Sequence, residues 1–596
     1  MPSSPLLQGS GVLKLSISSE GKALPTEVQV MSVEIHHAIN RIASATIIVI
    51  DGDMPSGKFP LSDGTLFKLG AKIVIKAGYG DDETPVFSGL VIKHAVKVDG
   101  NNYARLELEC RDPALAMTVG RKSASFVKMS DRAIIGKLVA GYAGLSAKVD
   151  ATDVTHPELV QFYVTDWDFL LARAEANGLL VMTDGGDISV KAPATTAEPV
   201  LSLTYGSDLM EFEAELDARW QVDSVVSSSW DMATQKVVQK HAAPLSLTGQ
   251  GDLDGKKMAA VLGTGPFALQ TIATQGSGDL SAWAKAQQLK VALARIRGRM
   301  LFQGNAKAKP GVLLLLKNVG DHFNGKVLAT SVIQRIVDGN WLTEVEFGMA
   351  PSWFAEQHQL AAPPAAGLTA GMEGLQIGVV KKIDADPENQ FRVQVTLPLM
   401  PAQTEGVWAR LAGFYASADC GAFFIPEVGD EVVLGCFNHD PSCPVILGSL
   451  YSGKKKPPQV ATADNFIKAL VTRSKLTLEF NDDKKIITLN TPGKNQVVIS
   501  DDGKSILLQD QTGNKIELSE KGISLDSAKD IMISAKGKVS ITADNNIETE
   551  AKKDIKCDAA NITLNAKTGL SAKGGATAKL TGGTQVTVKA PMVKIN

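Results

Sequence analysis

The sequence predicts a mainly β chain with some α-helix, in which a small barrel precedes an intertwined β-helix needle. Three observations carry that prediction. Segments rich in Val, Ile and Thr alternate apolar with polar residues and stop at Gly, Pro or Asp. A later stretch packs five such segments into about 75 residues, which suits a barrel of the OB type. Residues 523–596 repeat every eight positions, and nearly every repeat opens on Ile, Val or Leu.

With 596 residues the chain exceeds what one hydrophobic core organises, so about three or four domains are expected. Apolar residues make up 44% and charged residues 21%, a globular composition. Lys and Arg total 61 against 64 Asp and Glu, a formal charge of -3; this balance points to neither nucleic acid nor an anionic membrane. The opening "MPSSPLLQGSGVLKLSI" lacks a basic start followed by a long apolar run, so no secretory signal is expected. No stretch approaches the ~20 apolar residues of a membrane span. Cys110, Cys420, Cys436, Cys443 and Cys557 form no C-x-x-C pair. That predicts reduced thiols and assembly in the cytoplasm, not a zinc site or a disulfide framework.

Two breaks in composition divide the chain. Residues 359–373, with "QLAAPPAAGLTAGM", read as a linker, and "YSGKKKPPQVATADN" opens a neck over 453–480. The expected domains are 1–358, a barrel at 374–452 and a needle at 481–596. The first begins with the strands "VLKLSIS", "SATIIVID", "AKIVIKAGYG" and "VFSGLVIKHAVKV". Helical spacing follows in "SDRAIIGKLVAGYAG", capped by Ser130 or Asp131, and in "DWDFLLARAEANG", stopped by Asn177-Gly178. A third helix is expected over "DLSAWAKAQQLKVALARIRGRM". In the barrel, "LQIGVVKKI" and "FRVQVTLPL" flank the turn "DADPENQ", and "EGVWARLAG", "DEVVLGCF" and "CPVILGSLYS" follow.

Repeat units such as "ISLDSAKD", "IMISAKGK" and "VSITADNN" put apolar residues at positions 1 and 3, on one face of a short strand. The remaining residues turn the chain. A helical heptad fails, because it needs apolar residues three and four apart, and here they are two, then six apart. Two architectures share the pattern. A single-chain β-helix would give only about three coils and a thin core. In a homotrimer each chain gives one strand per level, making a rod ~50 Å long at ~4.8 Å per level. The modest core side chains favour the trimer. Its expected core is Ile523, Ile531, Val539, Ile547, Ile555, Ile562, Leu570, Val586 and Val588. Cys557 is expected inside as a small hydrophobe. Val593 and Ile595, with Val586 and Val588, are expected at a blunt end whose unpaired strand edges recruit a second protein.

"LVQFYVTDWDFLLARAEANGLLVMTDGG" resembles the hub segment of the VgrG (valine-glycine repeat protein G) family and of related phage tail proteins. "GAFFIPEVGDEVVLGCFNHDPSCPVILGSLYSG" resembles that family's spike barrel, and the order hub, barrel, repeats matches as well. The resemblance implies phage-hub-like β-barrels in residues 1–358. It implies a homotrimer at the tip of a contractile injection machine: a type VI secretion system, an extracellular injection particle or a contractile phage tail. The implied partners are a six-fold tail tube, baseplate components, a tip protein of the PAAR-repeat type, effector cargo and the punctured membrane. The machine would carry the spike out of the cytoplasm. Some relatives carry a lysozyme or effector domain, and some bind iron near the tip through histidines. Here the barrel runs straight into repeats and the last histidine is His439.

Motifs for chemistry are incomplete. "SATIIVIDGDMPSGKF" nears a phosphate loop, but Phe59 replaces the Ser or Thr that meets magnesium and Pro60 blocks the helix. "DADPENQ" spaces Asp384, Asp386 and Glu388 like a calcium loop without its Gly and distal Glu, and reads as a hairpin turn. Adjacent His36 and His37 face opposite sides of a strand. Asp166 and Asp168 suit the start of a helix better than an acid pair. No cofactor, metal or catalytic residue is expected. The reading is a non-enzymatic, membrane-piercing spike. The alternative is a trimeric β-helical enzyme acting on surface polysaccharide, and the absence of Trp, Tyr and Phe after Phe480 weighs against its groove.

Overall fold

The computed structural model describes residues 2–6, 11–80, 82–100, 104–245, 247, 249–263, 265–357, 363–399 and 405–595. The first four residues of the expected linker, 359–362, lie outside the described residues. Contacts separate two units, residues 1–450 and 451–596.

In the first unit, alternating sequence gives alternating burial. Strand Ser44–Ile50 buries Ala45, Ile47 and Val49 and leaves the residues between them half-buried. It sits inside a 13-stranded sheet that runs from Leu209–Leu216 through Gly325–Val337 and Val30–Ala38 to Leu13–Ser19 and Lys22–Ala23. Gly325–Val337 joins the two ends of this sheet. Its first part pairs with Leu313–Lys317 and its second with Val30–Ala38. One core forms on the Val30–Ala38 side around Ile35, Ile47, Phe67 and Phe87, and another on the far side around Phe302, Leu314 and Phe347.

Helices α1 (Asp131–Ala140) and α2 (Asp166–Ala176) pack a third core with the sheet of Ser146–Val149, Leu180–Asp184 and Asp187–Lys191. The caps are as the sequence predicts. Ser130 accepts a hydrogen bond from the amide of Ala133, and Asn177 closes α2 before Gly178 at φ +66°. Three further helices follow, α3 (Gly255–Leu262), α4 (Ser277–Ala294) and the single turn α5 (Phe354–Gln357). The helical pattern read as far as Met300 is overruled. Helix α4 stops at Ala294, and Ile296–Gln303 is a strand paired on both sides, with Leu209–Leu216 and Asn340–Phe347. Burial of Met300 and Phe302 in the sheet core outweighs local helix propensity.

The five expected barrel strands close on themselves. Gln376–Lys382, Val393–Thr396, Val407–Leu411, Pro444–Leu450 and Glu431–Cys436 follow one another around the barrel, with a parallel contact between Val407–Leu411 and Pro444–Leu450. Val380, Val395, Ala409, Val432 and Ile446 fill its interior.

The second unit opens with a seven-stranded antiparallel meander from Ile467–Val471 to Gly522–Asp526. Every strand has five residues. Turns place Lys475, Lys485, Lys494 and Lys504 at positive φ, a left-handed conformation that favours glycine.

Candidate functional site

The hub motif marks a joint. Helix α2 is held by carboxylates at three points. At its start Thr165 caps the amide of Asp168, while the buried Asp166 accepts from Lys122 Nζ at 2.6 Å, Tyr142 Oη at 2.7 Å and Gln161 Nε2 at 2.8 Å. At its end Arg173 donates to both oxygens of the buried Asp131 at 2.6 and 2.9 Å, and Asn177 Nδ2 adds 2.8 Å. His156 Nε2 lies 3.0 Å from Asp131. Burial pushes both aspartates up, but these hydrogen bonds and charges outweigh it and hold each carboxyl below the usual range. The third point is buried Glu175, which pairs with Lys290 of α4 and accepts from the amide of Ala355 at 2.9 Å. His156 and Lys290 were not singled out from sequence, and Asp131 only as an alternative cap of α1, because no local spacing ties them to α2; the cap is Ser130.

The near-miss motifs resolve into structure. Gly52 sits at φ +107°, and a Cβ there would come within 2.7 Å of the Ala104 Cβ. The carboxylate of Asp51 accepts from the amides of Leu61 and Ser62 at 3.0 and 2.8 Å, so this loop turns its donors on itself. Asp386 organises its hairpin by accepting from Arg392 Nη2 at 2.7 Å and from the amide of Gln390 at 2.8 Å. The Arg392 guanidinium holds the Asp386 carboxyl far below its usual range. His36 meets Glu34 at the surface, while His37 turns inward to the carbonyl of Val86, where burial lowers its pKa. Among the described residues no group of three or more His, Cys, Asp or Glu side chains could hold a metal. Burial pushes the Cys110 thiol up to about 12.

The largest unsatisfied feature lies in the second unit. Facing residues in the meander pair Leu478 with Leu489, Leu489 with Val497, Val497 with Leu508, and Leu508 with Ile516. A second row runs Phe480, Ile487, Ile499, Ile506, Leu518 and Ile523. Directly paired side chains share a face, so one face of this sheet is continuously apolar. The other carries Glu479, Thr488 and Glu517, with Val498 and Leu507 between them. Among the described residues of the second unit nothing covers the apolar face; Leu489 is 46% exposed and Leu508 42%.

Ile523 is thus the last member of an apolar row that begins in the meander, and the expected needle core continues from it. Ile531, Val539, Ile547, Ile555, Ile562, Leu570, Val586 and Val588 are all exposed in the single chain, as are Val593 and Ile595. Cys557 is exposed too. Residues 527–595 form no strand pair within the chain. Apolar side chains and unpaired backbone groups therefore face outward together over this whole segment.

Three family models match the chain. Residues 9–338 match the Alg8 N-terminal domain, residues 376–451 the type VI secretion system/phage-baseplate injector OB domain, and residues 486–546 the phage baseplate V C-terminal trimerisation domain. No curated protein matches its sequence. Solved structures similar to it include the 43 kDa tail protein of prophage MuSo2 from Shewanella oneidensis, at 11% identity and TM-score 0.43, covering 57% of this chain and 98% of that one. An Escherichia coli type VI secretion component, described as similar to T4 bacteriophage tail proteins, has 13% identity and TM-score 0.37 over 73% of this chain and 99% of that one. A chain of the Francisella PdpA-VgrG complex has 8% identity and TM-score 0.40 over 87% and 88%. Because one family model spans residues 9–338, more than half of the chain, and the other two follow it in the order of barrel and repeats, the chain belongs to the family of the Alg8 N-terminal domain and is a VgrG-type spike protein.

Proposed function

We propose that this protein is a homotrimeric hub and puncturing spike at the tip of a contractile injection machine. Residues 1–358 would form the hub that meets the six-fold tail tube and baseplate, residues 374–452 the spike barrel, and residues 481–596 the needle, with 359–373 and 453–480 as linker and neck. The role is mechanical: strands stacked across three chains resist shear while the sheath supplies force. The observation that carries this reading is the continuous apolar face of the meander, prolonged by a segment with no strand partner in its own chain. Three copies around one axis would cover that face and pair that backbone, and the match of residues 486–546 to a trimerisation domain supports it. Val586, Val588, Val593 and Ile595 would dock a PAAR-type tip protein. Cargo is in keeping with the Francisella VgrG, whose structure is a complex with PdpA. Among the described residues no helix is long and apolar enough to cross a membrane. Assembly in the cytoplasm and export with the machine fit this design. Light scattering of the purified protein tests the trimer. A mass of three chains that survives mild denaturant is expected, and a stable monomer at micromolar concentration overturns the proposal.

A further inference from the structure

The overall charge of the chain conceals a local imbalance. Residues 465–526 carry nine basic and nine acidic side chains, and residues 527–558 six of each. Residues 559–595 then carry five lysines (Lys567, Lys573, Lys579, Lys589 and Lys594) and no Asp, Glu, Arg or His. All five are exposed. Four of them occupy position 2 or 4 of their repeat units, where strand parity in the proposed trimer would turn them away from the face that holds Leu570, Val586, Val588 and Val593. The rest of this outer wall is mostly Ala, Gly, Ser, Thr and Asn.

We propose that residues 559–595 form a lysine-lined surface that docks on the anionic headgroups of a phospholipid bilayer. The inference deepens the puncturing reading and rests on it. Three copies around one axis triple the charge. The cations are flexible ammonium groups spread along a wall of small side chains, with no guanidinium fork and no aromatic ring to shape a pocket. Such a diffuse array suits a broad anionic surface rather than one shaped acidic site. No acidic side chain in the segment neutralises it, so the field reaches about a Debye length into solution.

The test uses the full-length protein, first shown to be trimeric by light scattering. It is mixed with vesicles rich in phosphatidylglycerol or with vesicles of phosphatidylcholine alone, and the bound fraction is read by flotation. Binding is expected only to the anionic vesicles, and ~0.5 M salt should remove it. Replacing four lysines together (Lys573→Gln, Lys579→Gln, Lys589→Gln, Lys594→Gln) should weaken it by about tenfold or more. The same number of changes in the balanced segment (Lys536→Gln, Lys538→Gln, Lys552→Gln, Lys553→Gln) should change it by less than about twofold. A confirmed trimer that ignores anionic vesicles, binds both kinds equally, or loses as much with the second set as with the first overturns the proposal. Binding to polyglutamate but not to vesicles also overturns it, in favour of an acidic protein partner. A sample that scatters as a monomer removes the trimeric-spike reading itself.

Discussion

Every apolar cluster among the described residues lies in residues 1–450, whereas the second unit buries only Ser500. The first unit closes its barrel, pairs its strands and ties α2 down with carboxylates from its own chain. The second has the same alternating strands, but among its described residues nothing is laid over them. The contrast separates two kinds of stability. One belongs to a single chain and does not depend on concentration. The other belongs to the assembly and is inseparable from it. All seven tryptophans lie in the first unit, so tryptophan fluorescence follows that unit alone and the two can be read apart.

The sharpest break comes from Leu508→Asp on the apolar meander face. In a trimer it sets unpaired carboxylates against apolar neighbours, at about 3–5 kcal/mol per chain. Light scattering should fall to the mass of one chain, while the tryptophan melting curve stays where it was. The reverse break is Asp131→Ala. It leaves Arg173 and Asn177 without their buried acceptor, and the tryptophan transition should lose about 3 kcal/mol while the mass stays at three chains. Acid probes the same joint. Asp131 and Asp166 have folded pKa values below their unfolded ones, so their contribution is complete above the ordinary carboxylate range and is lost as pH falls through the folded values. The tryptophan-bearing unit should therefore soften progressively below about pH 4.

Hydrogen exchange sharpens the comparison within the second unit. Amides of residues 527–595 should be slowed about a thousandfold in the trimer and exchange freely in the Leu508→Asp chain, where nothing pairs them. Cys557 offers a single-site version: a maleimide should label it about a hundredfold more slowly in the trimer than in that variant. The smallest expected effect is Lys485→Gly. It relieves a left-handed turn residue and should stabilise the meander by about 0.5–1 kcal/mol, visible as a higher denaturant midpoint for trimer dissociation.

The barrel was legible because its signals are local: alternating strands, each bounded by turn residues. The caps of α1 and α2 were legible for the same reason. What escaped the sequence depended on distant partners. Nothing near Ile296–Gln303 announces the two strands that claim it. Asp131 meets Arg173 only once α1 and α2 are packed. The meander escaped for another reason. Strands such as Thr477–Asn481, Ile486–Asn490 and Gln496–Ser500 begin nine or ten residues apart, so a search for an eight-residue period starts at Ile523 and passes over them. Their turns also use lysine where a left-handed residue would ordinarily be marked by Gly or Asn. In the needle the apolar stripe was legible, but the structure of one chain shows only its exposure.

The place of Ile523, at the end of the meander and the head of the repeats, bears on how three such chains can start in step. Hairpins joined by turns of a few residues close small loops, so the meander can form early from local contacts. The repeats have no such shortcut, since they pair with no strand of their own chain and in the proposed trimer every ladder would come from another chain. A slip of one residue would turn all the later stripes outward. By joining the meander's apolar row, Ile523 would give each chain of the proposed trimer the same phase before a first intertwined level is laid down. Winding would then proceed towards higher residue numbers like a zip whose first tooth is already engaged. In the proposed trimer, undoing that winding would be slow, so the lifetime of the assembly would depend on an unwinding rate as well as on an equilibrium.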